Sequence, residues 1–196
     1  MELILASHNK HKAEEIAAVL PGGYSVKTLN EIGITEEIPE PGATIKENSY
    51  LKAKYVSDFL KGKSSAAVFA DDSGLEVAAL HGAPGVHSAR YSGIPKNDQA
   101  NNQKLLQEMK QLTDRKARFV TVITLILNGE IHYFEGEVKG TIAYEPRGSS
   151  GFGYDPLFIP QGYRSTFAEL GEEVKNSISH RVNAVKKLLD FLSQKK

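Results

Sequence analysis

The sequence contains no cysteine. That excludes disulfides, thiolate zinc sites and cysteine nucleophiles, and leaves hydroxyl, carboxylate, imidazole and amine groups to carry any chemistry. It also lacks a charge imbalance, with Lys and Arg matching Asp and Glu at 24 each. No global field therefore favours nucleic acid or an acidic membrane surface, and any anionic ligand must be held by a local cluster. No apolar run approaches the roughly 18 residues of a membrane span. Leu3 to Ala6, which follows Glu2, is far shorter than a signal-peptide core. The expectation is a soluble, unexported, cytoplasmic protein with no membrane or nucleic-acid partner. Neither a Gly-x-x-x-x-Gly-Lys-Ser/Thr loop nor a Gly-x-Gly-x-x-Gly turn occurs, which argues against a P-loop motor or a dehydrogenase. Internal repeats and low-complexity tracts are absent as well. With 196 residues the chain can build one sizeable core, so a single domain over 1–196 without a separable linker is expected.

What is present is organised around Ala66-Ala67-Val68-Phe69-Ala70-Asp71-Asp72-Ser73-Gly74-Leu75. The apolar half reads as a buried strand, and it runs directly into two adjacent carboxylates. A buried, unpartnered carboxylate costs several kcal/mol and two neighbours repel, so the pair either sits at a turn in water or faces a cation. Asp, Ser and Gly are ordinary turn residues, and a turn between strands remains open.

The flanking segments predict an α/β sheet. Leu3 to Ala6 is a strand. Ser7-His8-Asn9-Lys10-His11-Lys12 then leads into a helix carrying Ala13, Ile16, Ala17 and Leu20, which Pro21-Gly22-Gly23 ends. Such a helix entrance, with free backbone N–H groups and two lysines, suits phosphate, although Ser7 or Asn9 could equally cap the helix beside solvated lysines. A second strand is expected over Tyr24 to Leu29. Glu36, Glu37 and Glu40 are either a solvated acidic face or, for Glu40 between Pro39 and Pro41, a carboxylate whose restricted backbone would help it aim at a metal. Thr44 and Glu47 form a capping box, opening a helix with Leu51, Tyr55 and Phe59 on one face and Lys52 beside that stripe. Leu75 to Leu80 reads as another short strand, and His81 to Tyr91 as a structured loop. Asp98 can cap a helix with Leu105, Met109 and Leu112 inward. Asn128-Gly129 predicts a hairpin turn between Arg118–Leu127 and Ile131–Val138. Gly151-Phe152-Gly153-Tyr154-Asp155 is either a flexible loop or an aromatic platform for a flat ligand. The last helix, carrying Ile178, Val182, Val185, Leu189 and Leu192, is expected to begin within Lys175 to Arg181. His180 and Arg181 then oppose the helix dipole, which points to a ligand, the alternative being a solvated His-Arg pair.

Together these parts suit a nucleoside triphosphate: a cationic helix entrance, carboxylates for magnesium, a glycine-set aromatic and a terminal Lys/His/Arg group. The set Ser7-x-Asn9-x-x-Lys12, Glu40-Pro41-Gly42-x-Thr44, Glu47-Asn48 with Leu51-Lys52-Ala53, Ala70 to Leu75, Pro84-Gly85-Val86-x-Ser88-Ala89-Arg90-Tyr91, Gly151 to Pro156, and Lys175-x-x-Ile178-Ser179-His180-Arg181 closely resembles the non-canonical purine nucleoside triphosphate pyrophosphatases, the inosine/xanthosine triphosphate house-cleaning enzymes. The resemblance implies an elongated, two-lobed α/β fold with a long central mixed sheet and the site in the cleft between lobes. It implies magnesium-dependent hydrolysis of ITP, dITP and XTP to the monophosphate and diphosphate, usually by a homodimer. By the same resemblance, Ser7, His8, Asn9, Lys10, His11, Lys12 and Lys52 are phosphate contacts, and Glu40 and Asp72 are metal ligands. Asp72 is also the proton acceptor for water. Ser73, Phe152, Gly153, Tyr154, Asp155, Lys175, His180 and Arg181 are nucleotide contacts, and the resemblance assigns Asp71 no role of its own. Two rivals remain at this level: a nucleotide sensor without turnover, against which the intact Glu40, Asp71 and Asp72 set argues, and a magnesium-dependent phosphatase, whose common Asp-x-Asp motif is missing.

Overall fold

A computed structural model describes residues 1–62 and 66–195. Its strands are β1 (Glu2–Leu5), β2 (Ser25–Lys27), β3 (Ala67–Val77), β4 (Lys116–Leu127), β5 (Glu130–Ile142) and β6 (Phe158–Pro160); its helices are α1 (Lys10–Ala17), α2 (Ile45–Leu60), α3 (Asp98–Glu108), α4 (Phe167–Ile178) and α5 (His180–Ser193). The strands form one six-stranded sheet in the order β2-β1-β3-β4-β5-β6. It is mixed, since β1 pairs in parallel with β2 and β3 while β5 and β6 are antiparallel. The predicted α/β class and mixed sheet with flanking helices are therefore present. Among the described residues no helix is long and apolar enough to cross a membrane.

By compactness the chain divides into two units, one of Met1–Asp72, Thr121–Gly136 and Arg181–Lys196, the other of Ser73–Val120 and Glu137–His180. The core of the first unit is sorted by strand periodicity. Successive side chains of β3 point to opposite faces. Ala67 and Phe69 pack with Ile16 of α1 and with Ala184, Val185, Leu188 and Leu192 of α5. Val68 and Ala70, one residue out of phase, pack with Ala53, Val56 and Leu60 of α2. Each fully buried Val, Leu or Phe side chain contributes about 1.5–3 kcal/mol, which holds both helical layers against the strand. In the second unit Leu75 and Val77 pack with Leu105 of α3, with Met109 just after it, and with Phe119, Phe158 and Phe167. The Phe119 and Phe158 rings lie 4.7 Å apart between centroids.

Several local expectations hold and several are corrected. Thr44 and Glu47 form the capping box that starts α2. Asn128 and Gly129 both have positive φ, as a two-residue hairpin turn requires. α1 ends at Ala17, before the expected stop, and β2 has only three residues. α2 buries Ala53, Val56 and Leu60, and Phe59 of the expected Leu51-Tyr55-Phe59 stripe packs against the same cluster, whereas Tyr55 is exposed and bonds Glu36. Of the two alternatives open for Asp71 and Asp72, the turn is not found and cations face the pair. β3 runs unbroken to Val77, and Ala78–Leu80 is a short 3-10 helix. Asn97, not Asp98, caps α3. The terminal helical region is two helices, because Ser179 adopts an extended backbone between α4 and α5. Lys175 therefore belongs to α4, whose own capping box, Thr166 and Glu169, was readable in the sequence.

Candidate active site

The position of Asp71 and Asp72 inside β3 decides their chemistry. As strand neighbours they face opposite sides, so their mutual repulsion is reduced and each meets a different helical layer. Asp71 continues the face of Ala67 and Phe69. Its Oδ2 accepts from Nε of Arg181 at 3.0 Å and lies 3.1 Å from the Lys12 ammonium. Nη1 of Arg181 in turn donates to Glu15. These partners stand on the first turn of α5 and on α1, the layer that packs on that face. Asp71 and Arg181 are both buried. Burial alone would raise the Asp71 pKa, but the positive charges of Lys12, Arg181 and Lys52 outweigh it and hold the carboxyl well below the usual range. Burial lowers the Lys12 pKa despite Asp71, while Asp71 and Glu15 raise that of Arg181 against burial.

Asp72 continues the face of Val68 and Ala70, toward α2. That helix is fixed by Ser49, whose Oγ donates to the Ala70 carbonyl at 3.0 Å and lies 2.7 Å from the Thr124 hydroxyl. Lys52, three residues on, shares that helix face. Its ammonium donates to Asp72 Oδ1 at 3.0 Å and to Glu40 Oε1 at 2.8 Å. Glu40 is brought there by the loop before α2, where the Gly42 N–H donates to Asn48 Oδ1 at 2.7 Å and Ala43 N–H to Glu47 Oε2 at 2.8 Å. A Cβ on Gly42 would sit 2.6 Å from Asn48 Oδ1, so a side chain there would push the loop off the helix. Burial raises the Asp72 pKa; Lys52 and Lys12 pull it down and Glu40 adds to the rise, leaving it above the ordinary value. Lys52 is raised, its carboxylates outweighing burial, and stays protonated.

The remaining predicted phosphate residues separate into surface and site groups. Asn9 caps α1, accepting from Lys12 N–H at 3.1 Å, and Ser7 Oγ accepts from Asn9 N–H at 3.1 Å. A His8 ring nitrogen lies 2.9 Å from the Glu36 carbonyl. Lys10 and His11 both lie beside Glu14 on the exposed side of the helix, and of this loop only Lys12 turns to the buried carboxylates.

In the second unit, Asp155 is buried and organises its loop. Its Oδ2 accepts from the Phe152 N–H at 2.9 Å and from the Lys175 ammonium at 2.6 Å. The same ammonium stands 4.3 Å from the Phe152 ring centroid. Tyr154 is buried and donates its hydroxyl to the Ser88 carbonyl at 2.9 Å, while Gly153 is held by Asp98 and Asn102. His180 is buried and stacks on Phe119 at 4.8 Å between centroids. Ser73 is half-buried in β3. The sequence reading did not single out Glu15 or Asn102. The Glu15 contact joins residues 166 apart, which no local pattern reveals, whereas Asn102 stands one helical turn from Asp98 and shares its face. A cavity of about 640 Å³ in this unit, walled by Val77, Ala117, Ile159, Pro160 and Tyr163, contains none of the predicted residues.

The magnesium expectation can be tested against the donor set. Among the described residues no group of three or more metal-binding side chains occurs. Magnesium, however, is usually held by one or two carboxylates together with substrate phosphates. Glu40 and Asp72 supply two carboxylates that converge on one cationic atom, the Lys52 ammonium. All are hard oxygen donors, so the residues fit.

The family model for the Ham1 family matches residues 3–191, and the chain belongs to that family. The dITP/XTP pyrophosphatase of Porphyromonas gingivalis is 52% identical over 192 residues, covering 97% of both chains. The protein of that name from Bacillus subtilis is 48% identical over 195 residues, covering 97% of this chain and 96% of its own. Among solved structures, the Staphylococcus aureus Ham1 protein matches with a TM-score of 0.89 at 41% identity over 100% of both chains. The family that the motifs resemble is thus the family the whole chain matches.

Proposed function

We propose that the protein hydrolyses the non-canonical purine nucleoside triphosphates ITP, dITP and XTP to the monophosphate and diphosphate, with magnesium and as a homodimer. The observation that carries the reading is the Lys52 ammonium joined at once to Glu40 and Asp72, in a chain whose relatives bear the name dITP/XTP pyrophosphatase. Magnesium held by Glu40 and Asp72 supplies positive charge that neutralises phosphate oxygens and keeps both carboxylates ionised. Lys12 and Lys52 bind phosphate oxygens, and Ser7 to His11 line the same helix entrance. Water attacks the α-phosphorus, its proton passes to Asp72, and the bond to the bridging oxygen breaks to release diphosphate. With Oδ1 engaged by Lys52, Oδ2 is the oxygen assigned to take the proton. General-base help of this kind supplies roughly 10²–10⁴-fold, and charge stabilisation by the cations supplies the rest.

Phe152 stacks on the purine, with Ser73, Gly153, Tyr154, Asp155 and Lys175 completing the nucleotide contacts. His180 and Arg181 donate to the 6-oxo oxygen of hypoxanthine or xanthine and meet the adenine amino group donor to donor. An unpaired buried donor costs about 1–3 kcal/mol, or roughly 10–100-fold in preference. The test is product analysis over a panel of nucleoside triphosphates with and without magnesium. Monophosphate and diphosphate from ITP, dITP and XTP, formed only with the metal and much faster than products from ATP, is the expected result. Release of orthophosphate would overturn the reaction assigned.

A further inference from the structure

Asp98 and Asn102 are four residues apart on α3 and therefore project from one face of it. Both end on the same residue. Asp98 Oδ2 accepts from the Gly153 N–H at 2.7 Å, and Asn102 Nδ2 donates to the Gly153 carbonyl at 2.9 Å. A residue has one backbone donor and one backbone acceptor, so a single helix face engages both polar backbone groups of Gly153. Asp98 stands at the first helical position, where the dipole favours a carboxylate, and Asn97 fixes that end by accepting from Ala100 N–H at 2.9 Å. Asn102 is buried, and with its Nδ2 turned to Gly153 its Oδ1 has no hydrogen-bond partner among the described residues.

Gly153 lies between Phe152 and Tyr154, and neither neighbour needs α3 for its own bonds: Phe152 N–H goes to Asp155, and the Tyr154 hydroxyl to Ser88. The helix clamp fixes the peptide units on either side of Gly153, and so the backbone from which the Phe152 ring is presented. We infer that Asp98 and Asn102 are positioning residues that preset the Phe152 platform for a purine face, setting affinity and base preference rather than the bond-breaking step. This rests on the reading of Phe152 to Asp155 as nucleotide contacts. A preset loop does not lose its freedom when the ligand arrives, so the clamp acts on binding.

The experiment compares the full-length protein with Asp98→Ala, Asn102→Ala and Asp98→Asn, the last retaining an acceptor oxygen. Steady-state hydrolysis of ITP, ATP and ribose 5-triphosphate, which has no base, is measured with magnesium, and ITP binding is measured by calorimetry without it. Loss of one such hydrogen bond should raise KM and Kd for ITP about tenfold in each alanine variant, with kcat within roughly twofold and the ITP-over-ATP preference reduced about as much. Kinetics on ribose 5-triphosphate should not change, and Asp98→Asn should restore ITP affinity. Unchanged ITP affinity in both alanine variants, or equal losses on ITP and ribose 5-triphosphate, would overturn the inference. If the parent protein binds ITP but does not cleave it, the proposed reaction fails while weaker binding by the variants still supports the clamp; absence of ITP binding by the parent overturns both.

Discussion

The first unit fixes its candidate groups by charge against charge, Lys12, Lys52 and Arg181 against Glu15, Glu40, Asp71 and Asp72. The second fixes its loop mostly by side chains closing on backbone, with Asp98, Asn102 and Asp155 engaging the N–H and C=O groups of Phe152 and Gly153. A charged network in a buried setting responds strongly to the loss or arrival of a charge, which suits binding phosphate and moving protons. A backbone clamp resists change of shape, which suits presenting a ring to a flat ligand. Asp71 and Asp72 show the same contrast within one strand. Asp71 is held fully ionised among cations, while burial and Glu40 push Asp72 toward taking a proton.

The sharpest way to break this comparison is Asp72→Asn. Turnover should fall by roughly 10²–10⁴-fold or more while the fold persists, checked by kinetics together with circular dichroism. Substantial residual hydrolysis would remove Asp72 as the base. Asp71→Ala should act on stability instead, costing about 3–5 kcal/mol in urea unfolding because it leaves Lys12 and Arg181 buried against a lost charge. A loss below about 1 kcal/mol, the range of exposed pairs, would show the network to be solvated. In the second unit, Gly151→Ala places a Cβ against the Asp155 carboxylate at a φ of +80°. It should cost about 1–3 kcal/mol and weaken ITP binding, read by thermal unfolding and calorimetry. Asn9→Ala removes the α1 cap and should cost about 1 kcal/mol in thermal unfolding.

The smallest effect is a pH dependence. Hydrogen bonding to Arg118 lowers the Glu137 pKa from 4.5, with Lys139 adding to it. A depressed carboxylate pKa contributes stability that is fully present above the unfolded value and lost as pH falls through the folded one. Glu137→Gln should therefore flatten the fall of thermal stability slightly below pH 4.5 and leave the pH dependence above it unaltered. Because the group is half exposed, a large change would contradict the screening expected of it.

Reading along the chain located most elements because their signals are local. Thr44 with Glu47 starts a helix wherever it lies, and Asn128-Gly129 turns a hairpin by backbone preference alone. The full inward face of α2 and the choice between a turn and a continued strand at Asp71 to Gly74 were not decided locally. Both depend on what packs against the segment, and polar residues that usually make turns continue a strand when buried partners satisfy them. The composition excluded thiol chemistry and a global anionic or cationic surface, and the motifs pointed to a nucleotide site and its family. Only the tertiary structure decided that the adjacent aspartates divide, Asp71 to α1 and α5 and Asp72 to α2 and Glu40. Strand periodicity sends neighbours to opposite faces, but which cations wait on each face is set by residues up to 110 positions away.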